Sequence, residues 1–165
     1  MEDAVLAGKA RAIGFSNVDE RTLAAALAGY SRVKPAFVSN VFNPFHQDRG
    51  VRALCEREGV LYQGFNLLGR SDELSHPVYR RIAASHGASP AQVVVRWALT
   101  KNVTVLTSSR QRERMRSNRQ LDFDLSKEEL ESIDALQGTP WPLPAARRDS
   151  AAMVQVGPHA PAGAV

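Results

Sequence analysis

A chain of 165 residues with 44% hydrophobic and 23% charged residues has the apolar content for one compact core, which excludes disorder along its whole length. Its formal charge of +4 comes largely from arginines between Arg110 and Arg119 and from Arg147 and Arg148. That clustering suits a local anion site and not a nucleic-acid face, where basic residues would spread over one surface with aromatics between them.

A lone cysteine, Cys55, rules out an intramolecular disulfide and a cysteine-based zinc cluster, so a reducing compartment is expected. Met1 to Lys9 carries acids and no apolar core of a signal peptide, and no run approaches the roughly 20 apolar residues of a membrane span. A cytoplasmic protein without membrane attachment is the expectation.

In chain order, short apolar runs alternate with capped helical stretches, the pattern of βα units around a parallel sheet. Strands are expected at Ala12 to Phe15, Phe37 to Val41, Leu61 to Phe65 and Val103 to Leu106. Asp19 precedes a Leu/Ala-rich helix, and Gly59 and Gly87 fall where helices should stop. Ser89, Pro90 and Gln92 supply an N-cap, a first-turn proline and a capping-box partner; Ser126 and Glu129 open a last helix with Leu130, Ile133 and Leu136 on one face. From Thr139 the chain turns proline- and alanine-rich without apolar period, and a draped tail over 139–165 is expected after a domain over 1–138.

Several segments then match one known pattern in order. Gly8 to Asn17 ends in Gly14-Phe15-Ser16-Asn17, Pro35 to Pro44 follows, and Gly64-Phe65-Asn66-Leu67-Leu68-Gly69 comes next. His86 to Trp97 and Val103 to Ser109, running on to Arg114 and Asn118, complete the set. Together they resemble the C-terminal half of the aldo-keto reductases. The resemblance implies an α/β fold, a partial (half) TIM barrel of about four parallel βα units. A full barrel takes about 250 residues, so completion by a second copy or by a complementary half-barrel chain is expected.

The resemblance also implies a place for NADP. Ser16 and Asn17 match the serine and asparagine that bond the nicotinamide carboxamide, Ser39 stands where the family has a glutamine, and Phe65 keeps the aromatic face that stacks on the ring. Ser109, Arg114 and Asn118 match the adenosine-phosphate positions, whereas Ser108 and Ser117 replace the usual lysine and acid. The family's catalytic tyrosine, lysine, aspartate and histidine belong to a front half with no counterpart here.

Catalysis in barrels sits at the C-terminal strand ends, here Ser16, Asn17, Asn40, Asn43, His46, Asp48, Asn66, Arg70, Ser108 and Ser109. Among these His46 and Asp48 are the candidate acid-base pair. Tyr30, Tyr62 and Tyr79 are expected to pack, and the four histidines show no metal-ligand spacing. Three functions stay open. The chain is a descendant repurposed for non-redox cyclisation, isomerisation or elimination of a small molecule, the NADP-holding part of a two-chain reductase, or a non-catalytic binding or regulatory subunit. An open inner sheet face of Ile13, Val38 or Phe37, and Val105 or Leu106 is expected to invite a homo-oligomer.

Overall fold

The computed structural model describes residues 1–69 and 73–139. Four parallel strands, β1 (Gly14–Ser16), β2 (Phe37–Val41), β3 (Leu61–Phe65) and β4 (Thr104–Val105), form one sheet in the order β1-β2-β3-β4. Seven helices accompany them: α1 (Glu2–Leu6), α2 (Glu20–Gly29), α3 (Arg49–Glu58), α4 (Pro77–Ser85), α5 (Pro90–Thr100), α6 (Arg112–Ser117) and α7 (Lys127–Asp134), with a 3-10 turn at Glu73–Ser75. Each strand returns through helix to the next strand in line, which is the winding of half an α/β barrel. The expected tail lies outside the described residues apart from Thr139, as does Arg70.

Local chemistry sets the helix ends where the sequence places them. The Asp19 carboxylate accepts from the Thr22 amide at 2.7 Å, and both Ser89 with Gln92 and Ser126 with Glu129 form complete capping boxes. α3 stops at Gly59, whose φ of 64° is the left-handed turn that glycine takes without a Cβ penalty. The outer strands are offset or shorter than the sequence suggests. β1 begins at Gly14 because Phe37 is its first ladder partner, and β4 is limited to the two residues paired with Gln63 and Gly64.

Burial alternates along the strands. Val38, Asn40, Tyr62 and Gly64 face the helices and are buried, while their neighbours along each strand face the other way. Gly64 has to be small, since a Cβ there would lie 2.8 Å from Phe42 Cβ and 2.9 Å from a Val103 methyl. At the centre of the core Trp97 stacks on Phe42 with ring centres 5.0 Å apart and planes 8° from parallel. Trp97 Nε1 donates to Asp134 at 2.8 Å, and Lys101 Nζ reaches the other oxygen of that carboxylate at 2.6 Å. α7 is thereby bound to α5.

The β2–α3 loop is bound to the same C-terminal region. Gln47, only 2% exposed, donates its backbone N–H to Gln137 Oε1 at 2.6 Å and its side-chain amide to the carbonyls of Pro44 and Asp134, each at 3.0 Å. The Gly138 amide answers with a bond to the Phe45 carbonyl at 2.9 Å.

Candidate functional site

The C-terminal ends of the strands carry a continuous trough. It begins at Phe65, Asn66, Leu106, Thr107 and Ser108, and narrows past Leu68 and Gly69. It then opens into a cavity of about 390 Å³ bordered by Ser108, Ser109, Arg114, Ser117 and Asn118. Two of its turns depend on left-handed backbone, at Asn66 (φ 56°) and Gly69 (φ 53°). Asparagine tolerates that region better than most residues, and glycine enters it freely.

Four of the seven expected cofactor residues, Phe65, Ser109, Arg114 and Asn118, border this trough. Ser109 is held in place: its hydroxyl accepts from the Gln111 amide at 3.1 Å, shaping the entry into α6. Arg114 extends from α6, exposed, with no ion pair among the described residues. Asn118 caps the far end of the same helix. Phe65 ends β3 half-buried, and Ser39 lies in the middle of β2 directly across the ladder from Ser16.

Ser16 and Asn17 complete the set at the end of β1, two strands from Phe65. Asn17 takes φ 55°, and its backbone amide donates to the Ser39 carbonyl at 3.1 Å while its side-chain amide bonds Ser16 Oγ at 3.2 Å. One unpaired guanidinium, two hydroxyls at a helix entry and an aromatic face at the other end suit an elongated anion carrying a flat ring, although the Glu73 carboxylate lies beside Gly69 at the narrow part of the trough.

No hydrogen bond joins His46 to Asp48 among the described residues. His46 is exposed in a tight turn whose bridge to Asn43 runs through backbone bonds of 3.0 Å in both directions. The Asp48 carboxylate instead accepts from Tyr62 Oη at 2.7 Å and from the Asn40 amide at 2.8 Å. Asn40, 6% exposed, also accepts from the Val18 amide at 3.1 Å and donates to the Val18 carbonyl at 2.7 Å. Burial first, and then the bond to Asp48, pushes the Tyr62 hydroxyl well above the usual tyrosine range. This group is a bracket that ties two loop positions, Val18 after β1 and Asp48 before α3, to strands β2 and β3.

Asn43 and His86 have structural partners too. Asn43 Oδ1 accepts from the amides of Phe45 and His46 and so forms its own turn. His86 Nε2 lies 3.0 Å from the Glu129 carboxylate. Tyr79 is buried, with its hydroxyl unbonded and raised in pKa by that burial, whereas Tyr30 is 44% exposed. A second cavity, about 470 Å³ between α3 and the turn into β4, is bordered by Arg49, Arg52 and Lys101. Its Arg52 guanidinium donates to the Lys101 carbonyl at 2.8 Å and lies over the Phe42 ring, so it acts as a brace for the fold. Among the described residues no three His, Cys, Asp or Glu side chains converge as a metal ion would require, and no helix is long and apolar enough to cross a membrane.

Leu68, Gly69 and Thr107 border the trough without having been singled out as site residues. The signal was present in the strand-to-loop position of the segments that contain them. Four parallel strands wound through helices, with a trough at their C-terminal ends, define the class as half of an α/β barrel. The family model of the aldo/keto reductases matches residues 1–137, and the chain belongs to that oxidoreductase family.

Its relatives agree. The chain is similar to an NAD(P)H-dependent D-xylose reductase of Candida tropicalis, 30% identical over 161 residues, covering 86% of this chain and 49% of the relative. It is 33% identical over 130 residues to a glyoxal reductase of Bacillus subtilis, covering 78% of this chain and 47% of the relative. Among solved structures, the aldose reductase of Schistosoma japonicum superposes with a TM-score of 0.78 at 27% identity, over 87% of this chain and 47% of that one. The chain thus spans about half the length of the relatives it matches.

Proposed function

We propose that this chain forms the nucleotide-holding side of an NADP-using oxidoreductase that acts on a small carbonyl compound. The observation that carries the reading is the single trough from Phe65 to Asn118, which joins an aromatic face to an unpaired arginine. A nicotinamide nucleotide supplies the hydride when bound. The residues of this chain bind and orient it: Phe65 offers a stacking face, Ser16, Asn17 and Ser39 offer donors and acceptors for an amide, and Arg114 with Ser109 and Asn118 offers phosphate contacts. Because Ser108 stands where a lysine would add a second cation, preference for NADPH over NADH is small.

The rival reading is non-redox acid-base chemistry by His46 and Asp48. It has less support, because the Asp48 carboxylate already accepts from Tyr62 and Asn40 and has no bond to His46. Calorimetric titration of NADPH and NADH into the folded chain separates the two. Heat that disappears in Arg114→Ala supports the nucleotide reading. No heat with either nucleotide at about 1 mM, below which even weak sites of this kind should fill, removes it. Tight binding that ignores Arg114 means the phosphate lies elsewhere on the chain.

A further inference from the structure

Ser16 and Asn17 have little of their own to hold them. Both are exposed, and the single side-chain bond that either makes among the described residues is to the other, from Asn17 Nδ2 to Ser16 Oγ at 3.2 Å. Where their polar groups point is therefore decided by the backbone that carries them. On the strand side the ladder fixes it, with Ser16 paired to Ser39 and the Asn17 amide donating to the Ser39 carbonyl at 3.1 Å. Past Asn17 the ladder stops, and α2 does not begin until Glu20.

Asn40 fills that gap. Its Oδ1 accepts from the Val18 amide at 3.1 Å and its Nδ2 donates to the Val18 carbonyl at 2.7 Å, so one side chain serves both backbone groups of the residue after Asn17. The remaining N–H goes to Asp48 Oδ2 at 2.8 Å, an oxygen that also accepts from Tyr62 Oη at 2.7 Å. Turning the amide over would set its oxygen against a carbonyl and a carboxylate, so a single orientation satisfies every partner. Asn17 takes φ 55° and Asp48 φ 47°, left-handed conformations that residues with a Cβ keep where their surroundings over-determine them. The network lies on the helix side of the sheet, where Asn40 is 6% and Tyr62 5% exposed, so it does not depend on what covers the other side.

We propose that Asn40 is a positioning residue: its grip on Val18 fixes the place at which Ser16 and Asn17 offer their hydroxyl and amide to the carboxamide end of a nicotinamide nucleotide. This rests on the nucleotide reading given above. Asn40 touches no ligand itself. It acts through the backbone, and Asp48 acts in turn by holding Asn40.

Two probes separate positioning from plain support of the fold. NADPH carries the carboxamide, whereas adenosine 2′,5′-bisphosphate carries the adenine and phosphate groups without it. Asn40→Ala should weaken NADPH by about tenfold, the size of one lost hydrogen bond, and leave the bisphosphate unchanged in calorimetric titrations. Asp48→Gly is the second variant. Glycine suits φ 47°, and the Asp48 side chain makes no capping bond to α3, so this change removes chiefly the anchor of Asn40. It should weaken NADPH alone by about threefold, and it carries the test if circular dichroism shows that Asn40→Ala is unfolded. Parallel weakening of both probes overturns the inference and makes Asn40 a brace of the fold. NADPH affinity that is unchanged in the folded variants, or no tighter than that of the bisphosphate in the unsubstituted chain, overturns it while leaving the phosphate contacts standing. Neither probe binding the unsubstituted chain removes the nucleotide reading itself, and the inference with it.

Discussion

Removing the Asn40 amide should unfasten two loops at once. Asn40→Ala deletes two bonds to Val18, at 3.1 and 2.7 Å, and one to Asp48 at 2.8 Å, from a side chain that is 6% exposed. Each such bond contributes about 1 kcal/mol net, and a buried partner left unsatisfied costs about 1–3 kcal/mol. The Val18 backbone is only half-buried and can recover water, so the expected loss is about 2–4 kcal/mol, a large part of the roughly 5–15 kcal/mol that a domain of this kind has. Urea unfolding followed by tryptophan fluorescence measures it. Tyr62→Phe removes one bond to the same Asp48 oxygen and should cost about 0.5–1.5 kcal/mol. The double variant should lose a different amount from the sum of the single losses, by at least about 0.5 kcal/mol, because both donors share one acceptor. A loss below about 0.5 kcal/mol for Asn40→Ala at unchanged urea slope would refute the bracket and leave Asn40 free for a direct role at the site.

Arg114→Ala should weaken NADPH binding by about 1.5–3 kcal/mol, toward the lower value because the guanidinium is exposed, and an unchanged dissociation constant by calorimetry would count against the phosphate assignment. The Cys55 thiol, pushed up to about 11 by burial and then by Asp48, should resist alkylation at pH 8 in native protein and react on unfolding; fast native labelling would contradict its burial. Since that folded value lies above the unfolded one, its contribution to stability is full below about pH 9 and is lost as the pH rises toward 11. Glu129 is raised by burial, but bonds from His86 and the Ser126 backbone outweigh that and hold it below the ordinary 4.5. Its stabilisation is therefore present above pH 4.5 and fades as the pH falls through the lowered value, so Glu129→Gln should flatten the acid limb of a thermal-melt series; an unchanged limb would mean that the His86 contact contributes nothing.

The sheet was legible because β2 and β3 sit between other strands, where apolar runs are long and unambiguous, and both match their expected ranges. The edge strands were less so: a partner's register decides where β1 and β4 stop, and register is a tertiary property. The capping boxes at Ser89 and Ser126 were readable since their chemistry is contained within four residues. The cluster of Ser109, Arg114 and Asn118 was readable through family spacing, and the structure brings all three to one cavity. His46 and Asp48 looked like a pair from separation along the chain alone. What could not be seen was Tyr62, fourteen residues on, whose hydroxyl reaches back to Asp48 across a strand boundary.

Gln47 meets Gln137 and Asp134 across separations of 90 and 87 residues, and this has a consequence for the order in which the molecule is made. A chain emerging from the ribosome presents the β2–α3 loop long before α7 exists, so its amide and carbonyl groups wait for partners until nearly all of the described residues have been synthesised. Native contacts of such long range slow folding and leave a partly built sheet open to wrong pairings in the interval. Final closure is then a late event that belongs to the completed polypeptide. A chain ended before Ser126 should retain helices yet lose cooperative melting, because the clasp between the β2–α3 loop and α7 would never form.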